Sequence, residues 1–168
     1  MTKSMLDFHG INLNSLRQSA EHLSAHILAT PTIFAPSLSK FLGASVHLKL
    51  ENLQYTSSFK SRGAFLALKA LKDEDKKVGV ISMSAGNHAQ ALAFRSQQEN
   101  IKSTIIMPEQ TPFTKISKTK AYGAEVVLTG RTLDEAKKTV DQLIDTHGYR
   151  LIHPDDDLNI ISGQGPIG

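Results

Sequence analysis

A regular alternation of strand and helix patterns over the second half of the chain leaves few folds open to it. Short apolar runs typical of strands are separated by segments whose apolar residues recur at helical spacing. Strands are predicted at 78–83, 103–107, 125–128 and 150–152, and helices at 87–98, 112–121 and 133–146. Strands that alternate with helices in this way predict an α/β fold, in which a parallel twisted sheet with right-handed crossovers is flanked by helices.

The first half of the chain has weaker patterns. An apolar stripe at helical spacing predicts a helix that is capped by Asn14 or Ser15 and ends before Pro31, because the residue before a proline is pushed toward extended geometry. A short helix is predicted at 36–42, and an alternating pattern predicts a strand at 46–50. The stripe consists of Leu16, Ala20, Leu23 and Ile27.

Composition narrows the classes of protein that remain. With 168 residues and 40% hydrophobic content, the chain can bury a core. Its lysines and arginines are scattered and only 6% of residues are aromatic, which argues against a nucleic-acid partner. There is no cysteine, so disulfides, thiolate zinc sites and cysteine nucleophiles are excluded. His22 and His26 lack a third ligand at a matching spacing, so no metal is expected. No apolar run reaches the roughly 18 residues that span a bilayer, and we expect a soluble, cytoplasmic protein.

Lys60 lies among small polar residues, where a strand pattern passes into a helix pattern. The apolar residues Phe65, Leu68 and Leu71 repeat at helical spacing after it. The positive end of a helix dipole disfavours a second cation, and an amine that has lost its proton can attack a carbonyl. The sequence therefore makes Lys60 a candidate nucleophile, although a lysine at such a position can also be an ordinary surface residue.

A second polar segment, 84–88, lies between a predicted parallel strand and the helix that follows it. Open α/β sheets bind ligands at the carboxyl ends of their strands. Gly86 allows close approach of the backbone, and free amides at the start of a helix can hold an anion such as a carboxylate. The alternative is that Asn87 is an ordinary helix cap and His88 a packed histidine of the first turn.

Four ordered blocks of this sequence resemble the threonine dehydratase and serine racemase group of pyridoxal 5'-phosphate enzymes. These have the tryptophan synthase β-like fold, also called fold type II. The blocks are 51–64, 84–90, 111–128 and 161–165, and the resemblance covers the chain from about Thr30 onward. It implies that Lys60 binds the cofactor, that Phe59 packs beside its ring, and that Asn87 hydrogen-bonds its ring hydroxyl. The segment that binds the substrate carboxylate would consist of Ser84, Ala85, Gly86, Asn87 and His88.

Ala85 bears on the reaction that the resemblance implies. Serine racemases typically carry a serine there, which acts as acid and base on the cofactor face opposite the lysine, and alanine can do neither. The segment therefore resembles dehydratases, which convert L-threonine or L-serine to a 2-oxo acid and ammonia by β-elimination, as in isoleucine biosynthesis. A serine racemase, a 3-hydroxyaspartate dehydratase and a non-catalytic truncated remnant remain as alternatives.

The resemblance also predicts how the chain is organised. Residues 1–76 would form the first part of the large domain, 77–153 a small α/β domain, and 154–168 the return into the large domain. The charged stretch 72–77 is expected to be a loop at the first boundary. The glycine-rich phosphate loop of relatives would lie further on, so we expect a truncated half of a homo-oligomeric enzyme with impaired activity. Ser57 departs from the group's usual glycine, and Pro166 from its usual threonine.

Overall fold

The computed structural model describes residues 10–168. The helices are α1 Leu13–Ser24, α2 Pro36–Leu42, α3 Lys60–Lys69, α4 Asp73–Val78, α5 Asn87–Gln98, α6 Phe113–Ala121, α7 Leu133–His147 and α8 Leu158–Gln164. The strands are β1 Thr32–Phe34, β2 His47–Lys49, β3 Val80–Met83, β4 Ser103–Met107, β5 Glu125–Leu128 and β6 Arg150–Leu151. Three short 3₁₀ turns cover Glu51–Leu53, Tyr55–Ser57 and Gly165–Ile167.

The larger sheet is parallel throughout and has the strand order β5-β4-β3-β6. The chain runs from β3 to β4 and β5 in one direction, then crosses back to place β6 on the other side of β3. Val80 in β3 lies opposite Ser103 in β4 and Arg150 in β6. This confirms the predicted α/β sheet, and it creates a switch point between β3 and β6, where ligands bind in open sheets of this kind.

Successive residues of the central strands face opposite layers of helices, as the two-residue period of a strand requires. Val80 and Ile105 pack with residues of α3, α5 and α8 on one face of the sheet. Ile81 and Ile106 pack with α7 on the other face. Both faces of the sheet are therefore covered, which is why these strands read as nearly continuous apolar runs.

A separate two-stranded antiparallel sheet is formed by β1 and β2. The predicted strand at 46–50 is confirmed in its centre, as β2. The helix predicted at 36–42 is confirmed as α2, which ends at Gly43 with a φ of 65°. Strand β1 escaped prediction because three residues after Pro31 are too few to show a period.

The predicted cap of the first helix was wrong, since neither Asn14 nor Ser15 is the N-cap residue. Asn12 is the N-cap, and its side chain accepts hydrogen bonds from the amides of Asn14 and Ser15. The Ser15 hydroxyl accepts the Asn12 amide in return at 2.9 Å. Ser15 is thus the third helical residue of a capping box and not the cap itself.

The charged stretch 72–77 is not the predicted loop, because most of it forms α4. Three acidic residues occupy the first turn of this helix and two lysines the last, which complements the helix dipole at both ends. Val78 completes α4, so β3 begins two residues later than predicted, after Gly79. The division into two domains stays a prediction, and α3 packs into the same core as β3, β4 and α5.

Candidate active site

The carboxyl ends of β3 and β6 bring two polar loops side by side. The Ile152 amide donates to the Ile81 carbonyl at 2.9 Å, which continues the pairing beyond the end of β6. The Ser82 hydroxyl donates to the Ile152 carbonyl at 2.7 Å from a fully buried position. The segment 84–86 and the segment 153–157 therefore leave the sheet together at its switch point.

Lys60 is the first residue of α3, and its side chain extends to this switch point. Its Nζ donates to Asp155 Oδ1 at 2.5 Å and to the Pro154 carbonyl at 2.8 Å. The Lys60 side chain is 17% exposed, whereas that of Asp155 is 74% exposed. The Nζ atom lies 5.6 Å from the centre of the Phe59 ring. The predicted nucleophile is thus half-buried and hydrogen-bonded to a turn 95 residues away.

The segment 84–88 leads into the N-terminus of α5, which is near enough to this lysine for the charge of Lys60 to act on His88. Gly86 is the N-cap residue, and no side chain caps the helix. A Cβ built on Gly86 would meet nothing within 4 Å, so the space in front of the first turn is open. Asn87 is exposed and lines a cavity of about 330 Å³ together with Thr56, Ser57, Gln90, Lys118, Ala121 and Tyr122. An uncapped 12-residue helix with open space before it suits an anion.

His88, the second residue of α5, is buried and only 2% exposed. Neither ring nitrogen has a hydrogen-bond partner among the described residues. Burial lowers the pKa of His88 to about 4, and the positive charge of Lys60 acts in the same direction. The imidazole is therefore neutral at pH 7, next to an ammonium and inside the first turn of α5.

Asp155 is the acidic partner in this cluster. The hydrogen bond from Lys60 lowers the pKa of the Asp155 carboxyl below its ordinary value. The turn that carries Asp155 is ordered by His153, whose Nδ1 accepts the amides of Asp155 at 3.2 Å and Asp156 at 2.7 Å. Asp157 then caps α8 by accepting the amides of Asn159 and Ile160, so hydrogen bonds fix both ends of the turn.

A buried ion pair supports the first turn of α3. Arg62 Nε donates to Glu51 Oε2 at 2.8 Å, and Arg62 Nη2 donates to Glu51 Oε1 at 2.7 Å. The Thr30 hydroxyl donates to the same Oε1 at 2.6 Å. Burial alone would raise the pKa of Glu51, but the hydrogen bonds from Arg62 and Thr30 and the charges of Arg62 and Lys49 outweigh it and lower that pKa. Sequence reasoning gave Glu51 and Arg62 no role, although they flank Lys60 in the motif.

The turn before Lys60 has an unusual backbone. Thr56 and Ser57 both adopt left-handed conformations, with φ of 59° and 55°. Such values favour glycine, so Ser57 pays a conformational cost at the very position where the resembling group carries glycine. The Thr56 Oγ1 atom is buried and has no hydrogen-bond partner among the described residues.

Sequence reasoning also missed Asp155 and His153. A signal was available, since they follow the last predicted strand, and the carboxyl ends of neighbouring parallel strands lie at one edge of a sheet. The strand order, which only the structure gives, decides that β6 neighbours β3. The segment 163–168 fits the pattern of a nucleotide-binding loop, but it continues a helix rather than following a strand, so the context for that function is missing.

A lysine amine that faces an uncapped helix N-terminus, at the switch point of a parallel sheet, is the arrangement of an α/β enzyme that holds a carbonyl compound beside an anion. The family model described as pyridoxal-phosphate dependent enzyme matches residues 23–168, and the chain belongs to this family. Among residues 10–168, no helix combines the length and the apolar character needed to cross a membrane.

Individual relatives agree with the family. The catabolic L-threonine dehydratase of Staphylococcus aureus strain N315 is 39% identical over 168 residues, which are 99% of this chain and 49% of that protein. The serine racemase of Dictyostelium discoideum matches 94% of this chain and 51% of its own, with a TM-score of 0.86 and 35% identity. A threonine deaminase from Solanum lycopersicum matches 94% and 45%, with a TM-score of 0.82 and 38% identity. The chain thus spans about half the length of the curated relatives that it matches.

The residues at the switch point fit the chemical groups of pyridoxal phosphate and an amino acid. Lys60 offers an amine for the aldehyde, and the exposed Asn87 offers an amide for a ring hydroxyl. The open, uncapped start of α5 offers backbone N–H groups for a carboxylate. The fold and the family are therefore confirmed, and the geometry of the site is compatible with the cofactor. The individual roles of Phe59, Lys60 and the segment 84–88 stay predictions.

Proposed function

We propose that this chain is the cofactor-lysine part of a pyridoxal phosphate-dependent ammonia-lyase acting on L-threonine or L-serine. The observation that carries the proposal is that Lys60 contacts the turn after β6, while the uncapped start of α5 follows the neighbouring strand β3 and its His88 feels the charge of Lys60. The 39% identity to a threonine dehydratase over the whole length of the chain supports the choice of reaction. The expected products are a 2-oxo acid and ammonia.

Each residue has a specific part in this proposal. Lys60 would hold the cofactor through its aldehyde, and the Lys60 amine would take the α-proton of the substrate. Asn87 hydrogen-bonds the ring hydroxyl, and Phe59 packs against the ring. The backbone amides of the segment 84–88, including that of His88, receive the substrate carboxylate. When bound, pyridoxal phosphate supplies an electron sink for the carbanion.

Ala85 favours elimination over racemisation. Racemisation requires a second proton donor on the face of the cofactor opposite Lys60, and a methyl group cannot donate a proton. We therefore expect oxo-acid formation without exchange between L- and D-serine. A serine racemase remains the second candidate, because solved racemase structures match the fold as well as the deaminase structures do.

Covalent labelling tests the cofactor site directly. The purified chain is incubated with pyridoxal phosphate, reduced with borohydride and mapped by peptide mass spectrometry. We expect the pyridoxyl mass on Lys60 and its loss in Lys60→Arg, which keeps the positive charge. Lys120→Arg, at an exposed position of α6, is the matched control and should leave the label unchanged. Label spread evenly over surface lysines would contradict the proposal.

Turnover assays separate the candidate reactions. Threonine and serine are supplied, and 2-oxo acid, D-serine and exchange of the α-proton are measured. Steady oxo-acid production that Lys60→Ala abolishes would support the lyase. Production of D-serine would favour the racemase.

Other features of the whole protein stay proposals. We infer that the active form is a homo-oligomer and that it is cytoplasmic. A role in isoleucine biosynthesis was predicted from the resemblance, but the first curated relatives are named catabolic enzymes. Size-exclusion chromatography with light scattering, carried out on the longest form of the protein available, measures the oligomeric state.

A further inference from the structure

The Lys60 side chain makes two hydrogen bonds that would have to break before its amine could act as a nucleophile. Its two acceptors are the Asp155 carboxylate at 2.5 Å and the Pro154 carbonyl at 2.8 Å. Neither acceptor can donate a hydrogen bond, so both contacts use N–H groups of Lys60 as donors, and the contact with the Asp155 carboxylate is strongest while the lysine carries its extra proton. A neutral amine that turns its lone pair toward a carbonyl holds these acceptors less tightly. Among the described residues, Asp155 is the carboxylate paired with Lys60.

We propose that Asp155 is a positioning residue that holds Lys60 in an unreactive, hydrogen-bonded pair, on a turn whose shape His153 maintains. A bound carbonyl compound would have to displace this contact before the lysine could react. The importance of this contact for catalysis rests on the proposed function. The contact itself, and its effect on the reactivity of Lys60, can be tested without it.

The turn presents the carboxylate in a fixed position. His153 Nδ1 accepts two backbone amides, those of Asp155 and Asp156, which is the geometry of an Asx-type turn with an imidazole as acceptor. Nδ1 can accept these amides only when it carries no proton itself, so the turn uses His153 as an acceptor at Nδ1. The other end of the turn is fixed by Asp157 at the start of α8.

The other titratable groups near Lys60 cannot replace Asp155. His88 faces it from α5 and is neutral, since burial lowers its pKa to about 4. His153 faces Asp155 from its own turn and is occupied as a backbone acceptor. Asp156 is exposed, and its carboxylate has no hydrogen bond or ion pair among the described residues, although it is adjacent in sequence. It therefore provides a matched control for the charge alone.

Competitive acetylation measures the reactivity of each lysine in the intact chain. An amine displaces acetate from acetic anhydride and gives its proton to solvent, and mass spectrometry reports the rate at every lysine. Asp155→Asn should raise the rate at Lys60 about three- to fivefold, the size expected for an ion pair with one exposed partner. Asp156→Asn should leave that rate unchanged, and exposed lysines such as Lys118 provide the internal reference.

Salt and the turn variants distinguish holding from a general loosening. High salt should raise the Lys60 rate in the wild-type chain toward that of Asp155→Asn and have little effect in the variant, because exposed carboxylates are screened. His153→Leu should release Lys60, whereas His153→Asn, which can still accept the two amides, should not. Equal Lys60 rates in wild-type and Asp155→Asn chains would overturn the proposal. A rise at Lys60 no larger than the rise at the other lysines in Asp155→Asn would do the same, since it would show no effect specific to Lys60.

The outcome is independent of cofactor chemistry. If Lys60 reactivity rises in Asp155→Asn but pyridoxal phosphate labels no residue selectively, the holding contact stands and the proposed function fails. If the cofactor labels Lys60 at the same rate in both chains and acetylation is also unchanged, the holding contact fails and the proposed function stands.

Discussion

Replacing Arg62 by methionine tests whether the buried pair with Glu51 anchors the helix that carries Lys60. The two side chains are only 5% and 9% exposed, and the guanidinium makes two hydrogen bonds of 2.7–2.8 Å. Methionine keeps most of the volume but leaves the Glu51 carboxylate buried with the Thr30 hydroxyl as its remaining hydrogen-bond donor. Removing one partner of a buried pair costs about 3–5 kcal/mol. Stabilities of domains are about 5–15 kcal/mol, so much of the folded population is at risk.

Urea unfolding followed by circular dichroism measures the change. We expect Arg62→Met to lower the free energy of unfolding by about 3–5 kcal/mol. The double variant Glu51→Met/Arg62→Met removes both charges and should recover most of that loss, because buried pairs replaced by apolar residues are often close to neutral. A loss below about 1 kcal/mol in Arg62→Met, or a double variant as unstable as the two single losses added together, would refute the reasoning.

The pH dependence of stability provides an independent test of the same ion pair. The pKa of Glu51 is lowered in the folded state, so the pair's contribution is fully present above the unfolded pKa and is lost as pH falls through the folded value. In Arg62→Met, a carboxylate buried without its partner prefers to be protonated. The stability difference between wild type and Arg62→Met should therefore shrink as the solution is acidified.

Three further changes have expected results. Ser57→Gly should stabilise the chain by about 1 kcal/mol in urea unfolding, because φ is 55° at this position, whereas Ser58→Gly, at a φ of −159°, should not. His88→Leu should weaken the dependence of stability on pH below pH 6.5. In the wild type, His88 takes up a proton near pH 6.5 in the unfolded state and only near pH 4 in the folded state. The wild-type free energy of unfolding therefore falls by up to about 3 kcal/mol between these pH values, and the variant avoids this loss. Gly63→Ala should cost more than about 2 kcal/mol by thermal unfolding, since its Cβ would lie 2.7 Å from the Ile160 carbonyl, whereas Gly86→Ala meets nothing within 4 Å. Similar losses in both glycine variants, a stabilising Ser58→Gly, or an unchanged acid slope in His88→Leu would contradict these expectations.

The sequence predicted the elements of the large sheet because their signals are local. Helix α5 and strands β4 and β5 have the predicted bounds, and α7 begins at the predicted residue 133, where Thr132 accepts the Glu135 amide at 3.2 Å. Strand β1, helix α4 and helix α8 escaped because each is too short to show a period or carries mostly polar residues. Length and polarity, rather than any unusual geometry, limit prediction here.

The site was predictable on one side only. Lys60 and the segment 84–88 lie next to recognisable helix starts, so they were identified from the sequence. The contact from Lys60 to Asp155 depends on which strand neighbours β3, and strand order is a property of long-range packing. The ion pair of Glu51 and Arg62 was hidden for a related reason, since both residues are of types that are usually exposed and only the structure shows them buried.

The crossing from β5 back to β6 also bears on the order in which the chain folds. Strands β3, β4 and β5 can pair as soon as residues up to 128 are available, but Asp155 and Pro154 reach Lys60 only after β6 has joined the far side of β3. Contacts between residues so distant in sequence form late and slowly. A nascent or partly folded chain would therefore carry Lys60 as an unrestrained amine, so protection of this lysine from acetylation reports completion of the sheet.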